Sequence, residues 1–178
     1  MSSFGNLNSR ISFMSNNESL VFPQLLLLND YSGNFDAFMK AVYTVFYQSF
    51  INKQAVYRGV KIIARKFPEV DGMHRTFYHI THEGDIESER IPDIARMERI
   101  RYPRFIIDNE IHPEILIWEN QRGNDQRILL FNEAESYLVV LTLRKEVLLF
   151  WTAYPVDQDH TIRKLLKEYQ VYVKAKTA

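Results

Sequence analysis

Three of the five histidines lie in one short stretch of the chain and could carry acid–base or metal chemistry. The segment RTFYHITHE, residues 75–83, contains His79 and His82, and His74 directly precedes it. Its alternation predicts a β-strand, whose successive side chains point to opposite faces. His79 and His82 would then face apart, and no Cys ligand exists, so we predict no metal site. His79 is then either a structural residue or an acid–base catalyst.

A run of arginines forms a second candidate feature. Its members are Arg90, Arg96, Arg99, Arg101 and Arg104. A solvated helix face paired with neighbouring acidic residues is one interpretation. Arg96 and Arg99, however, are three positions apart on a predicted helix, so their guanidinium groups could converge on one phosphate.

The segment WTAYPVD, residues 151–157, ends a predicted strand and leads into a predicted helix. Thr152 and Tyr154 alternate onto one face of that strand, although large aromatic residues there could also be core residues. His160 follows in the first helical turn, where the helix dipole favours its neutral form and nearby aspartates oppose this. Two hydroxyls beside a helix N-terminus suit an oxyanion.

Local patterns predict the elements that carry these residues. A helix is expected over residues 35–51, and the segments 56–67 and 75–81 are expected to form a hairpin around a turn at Pro68–Gly72. A further short helix is expected, with Pro92 in its first turn and its end before Pro103.

The C-terminal half predicts an antiparallel meander followed by an amphipathic helix. The predicted strand segments are Glu114–Trp118, Arg127–Phe131, Tyr137–Leu143 and Val147–Thr152. In the closing helix, one face is apolar and the opposite face carries His160, Arg163, Lys164 and Lys167. These elements predict an α+β fold in which helices cover one face of an antiparallel sheet.

Composition limits the classes of protein that fit. The 178 residues suit one domain, and the absence of cysteine excludes disulfides, thiolate zinc sites and a Cys nucleophile. Equal numbers of basic and acidic residues give zero formal net charge, so any anion binding must be local. The longest apolar run, residues 25–28, is far shorter than a membrane span, and no signal segment is recognisable. We therefore expect a cytoplasmic protein without membrane contact, with residues 1–30 as a partly disordered or loosely docked arm.

Several segments together resemble the phage and mobile-element relatives of the barnase/EndoU/colicin/RelE (BECR) superfamily of metal-independent ribonucleases. The segments are RKFP (65–68), TFYHIT (76–81), DIARMERIRY (93–102), SYLVVLTLRKEVLLFWTAYPVD (136–157) and HTIRKLLKEY (160–169). The resemblance implies helices packed on a four- to five-stranded antiparallel sheet, with one BECR-like nuclease domain over residues 31–178. It also implies RNA cleavage by the ribose 2′-hydroxyl, without metal or other cofactor, to give a 2′,3′-cyclic phosphate.

The same resemblance implies roles for individual residues. His79 would act as acid or base, with His160 or the hydroxyl of Tyr154 as its complement. Thr152 would orient the phosphate. Arg99 would belong to the catalytic set by stabilising the phosphate. The cationic groups that would bind the substrate are Lys66, Arg96, Arg163, Lys164 and Lys167. No carboxylate is singled out as a base.

Three functional hypotheses remain open at this point. The first is a toxin-like or phage-associated endoribonuclease acting on tRNA or mRNA, restrained by an antitoxin or immunity protein. The second is a non-catalytic domain on the same scaffold that binds RNA or an acidic protein, which zero net charge disfavours. The third is an interaction protein that forms a homodimer through the aromatic helix Phe35–Phe50.

Overall fold

The computed structural model describes residues 18–177. The α-helices in this range are α1 (Phe35–Tyr47), α2 (Arg75–Thr81), α3 (Ile94–Glu98), α4 (Tyr102–Asp108) and α5 (Asp159–Thr177). The strands are β1 (Ala55–Tyr57), β2 (Val60–Ile63), β3 (His82–Glu83), β4 (Ile91–Pro92), β5 (Ile115–Arg122), β6 (Asp125–Asn132), β7 (Tyr137–Arg144) and β8 (Val147–Pro155). None of the helices in the described range is long and apolar enough to cross a membrane.

Six strands form one mixed sheet in the order β1-β2-β8-β7-β6-β5. The predicted meander is confirmed, because β5 to β8 pair antiparallel in sequence order. The prediction of a four- to five-stranded, wholly antiparallel sheet is wrong, since the β1–β2 hairpin joins β8 through a parallel pairing of Ile62 with Leu148. The α+β class is confirmed.

The sheet buries both of its faces, so the prediction of helices on one face is also wrong. On β7, Val139 and Leu141 face the core formed with α1 to α4, whereas Leu138 and Val140 face the core formed with α5. This alternation follows from the period of two in a strand. The amphipathic pattern of α5 is confirmed, because Leu165 is buried against the second core.

The segment 75–81 is a helix, which corrects its assignment as a strand and as a hairpin partner of residues 56–67. Phe77 and Ile80 are buried in the first core, and Thr76, Tyr78 and Thr81 are buried as well. A seven-residue helix that is buried on most sides shows no amphipathic stripe, so its pattern of apolar and polar residues resembles that of a strand. The hairpin is instead made by β1 and β2.

The arginine-rich segment contains two short helices instead of one. Asp93 caps α3 by accepting a hydrogen bond from the Arg96 amide, while Pro92 lies in β4, outside the helix. Pro103 does not end a helix. It occupies the first turn of α4, where the missing amide hydrogen leaves no backbone bond unmade.

The helix predicted over 35–51 is observed as α1 followed by one π-helical turn, and Asn34 caps its N-terminus. Phe38, Phe46 and Phe50 point into the chain's own core. These three rings therefore pack within the chain, Tyr47 is the exposed aromatic residue of α1, and a homodimer through this helix stays a prediction.

Residues 18–30 of the predicted arm contact the body of the protein. The Leu26 amide donates to the Glu98 carbonyl at 2.9 Å, and Arg101 donates to the Gln24 carbonyl at 2.9 Å. The rest of the arm, residues 1–17, lies outside the described residues.

Candidate active site

Trp151 is the centre of a cluster of cationic side chains on the α5 side of the sheet. It is the extra residue in a bulge of β8, because Val140 pairs with Thr152 whereas the next residue of β7, Leu141, pairs with Phe150. The guanidinium carbons of Arg65 and Arg127 lie 5.3 and 5.4 Å from the centre of the Trp151 ring. Bulges commonly redirect a side chain next to a functional site.

Both arginines retain hydrogen-bonding capacity. The Nε atoms of Arg65 and Arg127 are buried and have no acceptor within residues 18–177. A buried donor without an acceptor is costly, so a small shift of either guanidinium group toward a bound anion would relieve this cost. We name the group formed by Arg65, His79, Arg127 and Trp151 the tryptophan pocket.

His79 projects from α2 toward the same pocket. Its ring lies 6.1 Å from the Trp151 ring between centroids, and its side chain remains 18% exposed. Its Nδ1 lies 3.5 Å from Oε2 of Glu87. Because Nδ1 faces a carboxylate, it is the nitrogen that carries the proton in the neutral ring, and Nε2 is left to accept one.

The surroundings of His79 favour this neutral form. Desolvation by burial lowers the pKa of His79 below its ordinary value of 6.5, and the nearby charge of Arg90 lowers this pKa further. Glu87 opposes both effects. Neutral imidazole therefore predominates near pH 7, as a general base requires.

Arg90 and Arg96 converge on the C-terminal end of α2. Their Nη1 atoms donate to the carbonyl of His82 at 3.2 and 3.4 Å, respectively. Arg90 also donates to the His79 carbonyl at 3.3 Å. Cations at a helix C-terminus complement its exposed carbonyls, so the pair holds α2 in place beside β8.

Arg96 connects this region with Tyr154. Its guanidinium carbon lies 5.2 Å from the centre of the Tyr154 ring, and its Nε lies 2.9 Å from Oδ2 of Asp93. Burial raises the pKa of Tyr154, so its hydroxyl keeps its proton at neutral pH. Arg96, Arg99 and Tyr154 together line a cleft of about 870 Å³.

The structure brings together only part of the set chosen from sequence. Thr152 and Tyr154 share the face of β8 that carries the tryptophan pocket, because they pair with Val140 and Leu138 of the second core. His79 reaches this face from α2 through its contact with Trp151. Arg96 and Arg99 contribute at the Tyr154 end.

The remaining predicted residues lie elsewhere. Lys66 is exposed and forms an ion pair with Glu69 at 3.2 Å. His160 and Arg163 are exposed on α5. Lys164 and Lys167 are also exposed on α5, and they line a separate groove against β5.

Sequence reasoning missed Arg65, Arg127 and Glu87. Arg127 had a local signal, because it shares the alternation of the apolar residues Leu129 and Phe131 and places a charge next to them. Glu87 had no such signal. Its carboxylate meets Arg75 at 3.2 Å and Arg90 at 3.3 Å only because the segment after α2 folds back on the helix.

The histidine rings have separate partners. Nδ1 of His82 lies 3.1 Å from the Tyr78 carbonyl, so this ring turns away from the Glu87 partner of His79. Strand alternation does not separate these rings, since His79 lies in α2 and His82 is the C-cap of this helix. Within residues 18–177, no group of three His, Asp or Glu side chains is placed to hold a metal ion. Comparisons of the chain with protein-family models, curated proteins and solved structures found no match.

Proposed function

We propose that the protein is a metal-independent endoribonuclease, toxin-like or phage-associated, that cleaves tRNA or mRNA through attack of a ribose 2′-hydroxyl. One observation carries the proposal: in the part of the chain that the structure describes, His79 lies beside a tryptophan that is flanked by two arginines whose Nε donors have no acceptor. A base next to a phosphate receptor is the minimum that this reaction requires.

In the proposed reaction, Nε2 of His79 accepts the proton of the 2′-hydroxyl. The 2′-oxygen then bonds to the adjacent phosphorus, and the bond from phosphorus to the 5′-oxygen of the next nucleotide breaks. The protonated hydroxyl of Tyr154 donates to that leaving oxygen. The products are a 2′,3′-cyclic phosphate and a 5′-hydroxyl, and the proton taken by His79 returns through solvent to the tyrosinate.

Arg65 and Arg127 would bind the non-bridging phosphate oxygens. Negative charge increases on these oxygens in the transition state, so fixed guanidinium donors stabilise that state more than the ground state. The hydroxyl of Thr152, between Trp151 and Tyr154 on β8, is available to orient the same phosphate.

Cleavage of total tRNA in excess EDTA tests the proposal. Wild-type protein should cut the RNA, whereas His79→Gln should be slower by about 10²- to 10⁴-fold, the usual contribution of one general base. His112→Gln is the matched control, because His112 contacts the Glu18 carbonyl, and neither residue belongs to the tryptophan pocket. Intact RNA with wild-type protein in excess, or equal rates for the two histidine variants, would reject the proposal.

RNA binding without cleavage would favour the non-catalytic alternative on the same scaffold. An active nuclease would require restraint in the producing cell, and an antitoxin or immunity protein that covers the tryptophan pocket would provide it. Such a protein would protect RNA from the wild-type enzyme at equimolar amounts.

A further inference from the structure

A second concave surface begins at Tyr154 and continues away from the tryptophan pocket. It lies between α3 and the junction of β8 with α5, and its volume is about 870 Å³. Pockets for small organic ligands span about 300–1,000 Å³. One nucleobase with its ribose fits within this volume. We name this surface the junction cleft.

The charges of the junction cleft do not suit a phosphate. Two arginines, Arg96 and Arg99, face three carboxylates, and Arg96 is already paired with one of these at 2.9 Å. The carboxylates belong to Glu83, Asp93 and Asp157. In the tryptophan pocket, by contrast, the guanidinium groups of Arg65 and Arg127 lie against an uncharged ring. An anion would therefore be drawn to the tryptophan pocket and not to the cleft.

The lining of the junction cleft suits an uncharged ring that both donates and accepts hydrogen bonds. Arg99 lines the cleft, and its Nε is buried without an acceptor within residues 18–177, so a small shift of this side chain would let it donate to a ring nitrogen or a carbonyl oxygen. The carboxylate of Asp157 can accept from an amino or imino group, and the amide of Gln158 can do either. Arg96 over Tyr154 adds a planar surface on which an aromatic ring can stack.

The position of the junction cleft relates it to the scissile bond. Tyr154 lies three residues beyond Trp151 on β8, which corresponds to about 10 Å of strand. We infer that the junction cleft binds the unpaired nucleobase of the leaving nucleotide and so sets a sequence preference for single-stranded RNA. This inference rests on the proposed function for the direction of the RNA, but binding of a base can be measured without cleavage.

The test uses four single-stranded pentanucleotides that are uniform in base and carry 2′-O-methyl groups, which block attack by the 2′-oxygen. Equilibrium binding to wild-type protein should differ at least fivefold between the strongest and the weakest of the four. In Arg99→Gln and in Asp157→Asn, this ratio of the strongest to the weakest affinity, the affinity spread, should fall below fivefold because affinity for the preferred base is lost. Arg58→Gln, an exposed arginine paired with Glu110, is the matched control and should retain the spread.

The outcomes separate this inference from the proposed function. The inference of a base-binding cleft would be overturned if wild-type protein bound all four oligonucleotides with similar affinity. It would also be overturned if the affinity spread were unchanged in both cleft variants. If these affinities nevertheless fell in Arg127→Gln, the tryptophan pocket would still be an RNA site. Absence of binding to any oligonucleotide would overturn both. Thermal unfolding of each variant verifies that the two cleft variants remain folded at the assay temperature.

Discussion

The ring of His79 lies 6.1 Å from the ring of Trp151, although 72 positions separate them in the chain. The contact joins α2 to the bulge of β8, and Arg65 and Arg127 lie against the same indole. It brings a residue suited to proton transfer to two cations suited to phosphate binding.

Replacing Arg65 or Arg127 with Gln should weaken RNA binding. Each change removes one guanidinium from the phosphate receptor, so we expect about a tenfold loss of affinity, equivalent to about 1.4 kcal/mol. The slope of log affinity against log salt should become shallower by about 0.7 for each lost contact with single-stranded RNA. Fluorescence anisotropy at several salt concentrations measures both quantities.

The matched control for these two variants is Arg58→Gln, since Arg58 pairs with Glu110 and lies outside the tryptophan pocket. A salt slope that is unchanged in both pocket variants would show that neither arginine contacts the RNA backbone.

The pH dependence of cleavage should follow the proton on His79. Its pKa lies below 6.5, and the base must be deprotonated, so kcat/KM should fall only as the pH drops below that value. Glu87 raises this pKa, so Glu87→Gln should move the acid limb to lower pH. Arg90 lowers the pKa, so Arg90→Gln should move the limb to higher pH.

The opposite directions of these two shifts provide the internal control. A general loss of structure would lower the rate in both variants without shifting the acid limbs of their pH profiles in opposite directions. If the acid limb of the pH profile of kcat/KM coincides with the wild-type limb in both variants, His79 is not the titrating base.

Much of the sheet could be predicted from sequence because its signals are local. Strands β5 to β8 follow one another through short turns, and β7 alternates between two cores from Tyr137 to Leu141. The parallel pairing of Ile62 with Leu148 has no such signal, since it joins segments that are 86 positions apart. The mixed sheet therefore depends on tertiary packing.

The candidate site likewise depends on tertiary contacts that the sequence does not indicate. His79 and Tyr154 could be chosen by residue type, but their partners Glu87 and Arg96 depend on how the chain folds back around α2. Lys66 was chosen over its neighbour Arg65, although only Arg65 contacts Trp151. Adjacent residues near the end of a strand point in different directions, and the direction depends on the exact register.

Intrinsic fluorescence should report occupancy of the tryptophan pocket. The chain has two tryptophans, of which Trp118 is 1% exposed in the second core and Trp151 is half-buried in the pocket. RNA should therefore change the emission of Trp151 and leave that of Trp118 unaffected. The titration signal should vanish in Trp151→Phe, and a signal that persists in this variant would place the RNA elsewhere.

Glu168 should be important for the attachment of α5 to the sheet. Its carboxylate accepts from Trp118 and Asn120, each at 3.1 Å, and pairs with Arg122 at 3.2 Å. Glu168→Ala should lower the free energy of unfolding by about 2 kcal/mol, since it leaves the indole donor without its acceptor. Urea denaturation measures the loss. Glu133→Ala, at an exposed glutamate, should change stability by less than about 0.5 kcal/mol.

The chemical ends of the RNA fragments test the central claim most directly. A single-stranded RNA incubated with wild-type protein in EDTA should give fragments that end in a 2′,3′-cyclic phosphate and begin with a 5′-hydroxyl, as measured by mass spectrometry. The same RNA with 2′-O-methyl groups should stay intact, and His79→Gln should yield little product. Fragments with 5′-phosphate ends, or cleavage of the 2′-O-methyl RNA, would contradict attack by the 2′-hydroxyl.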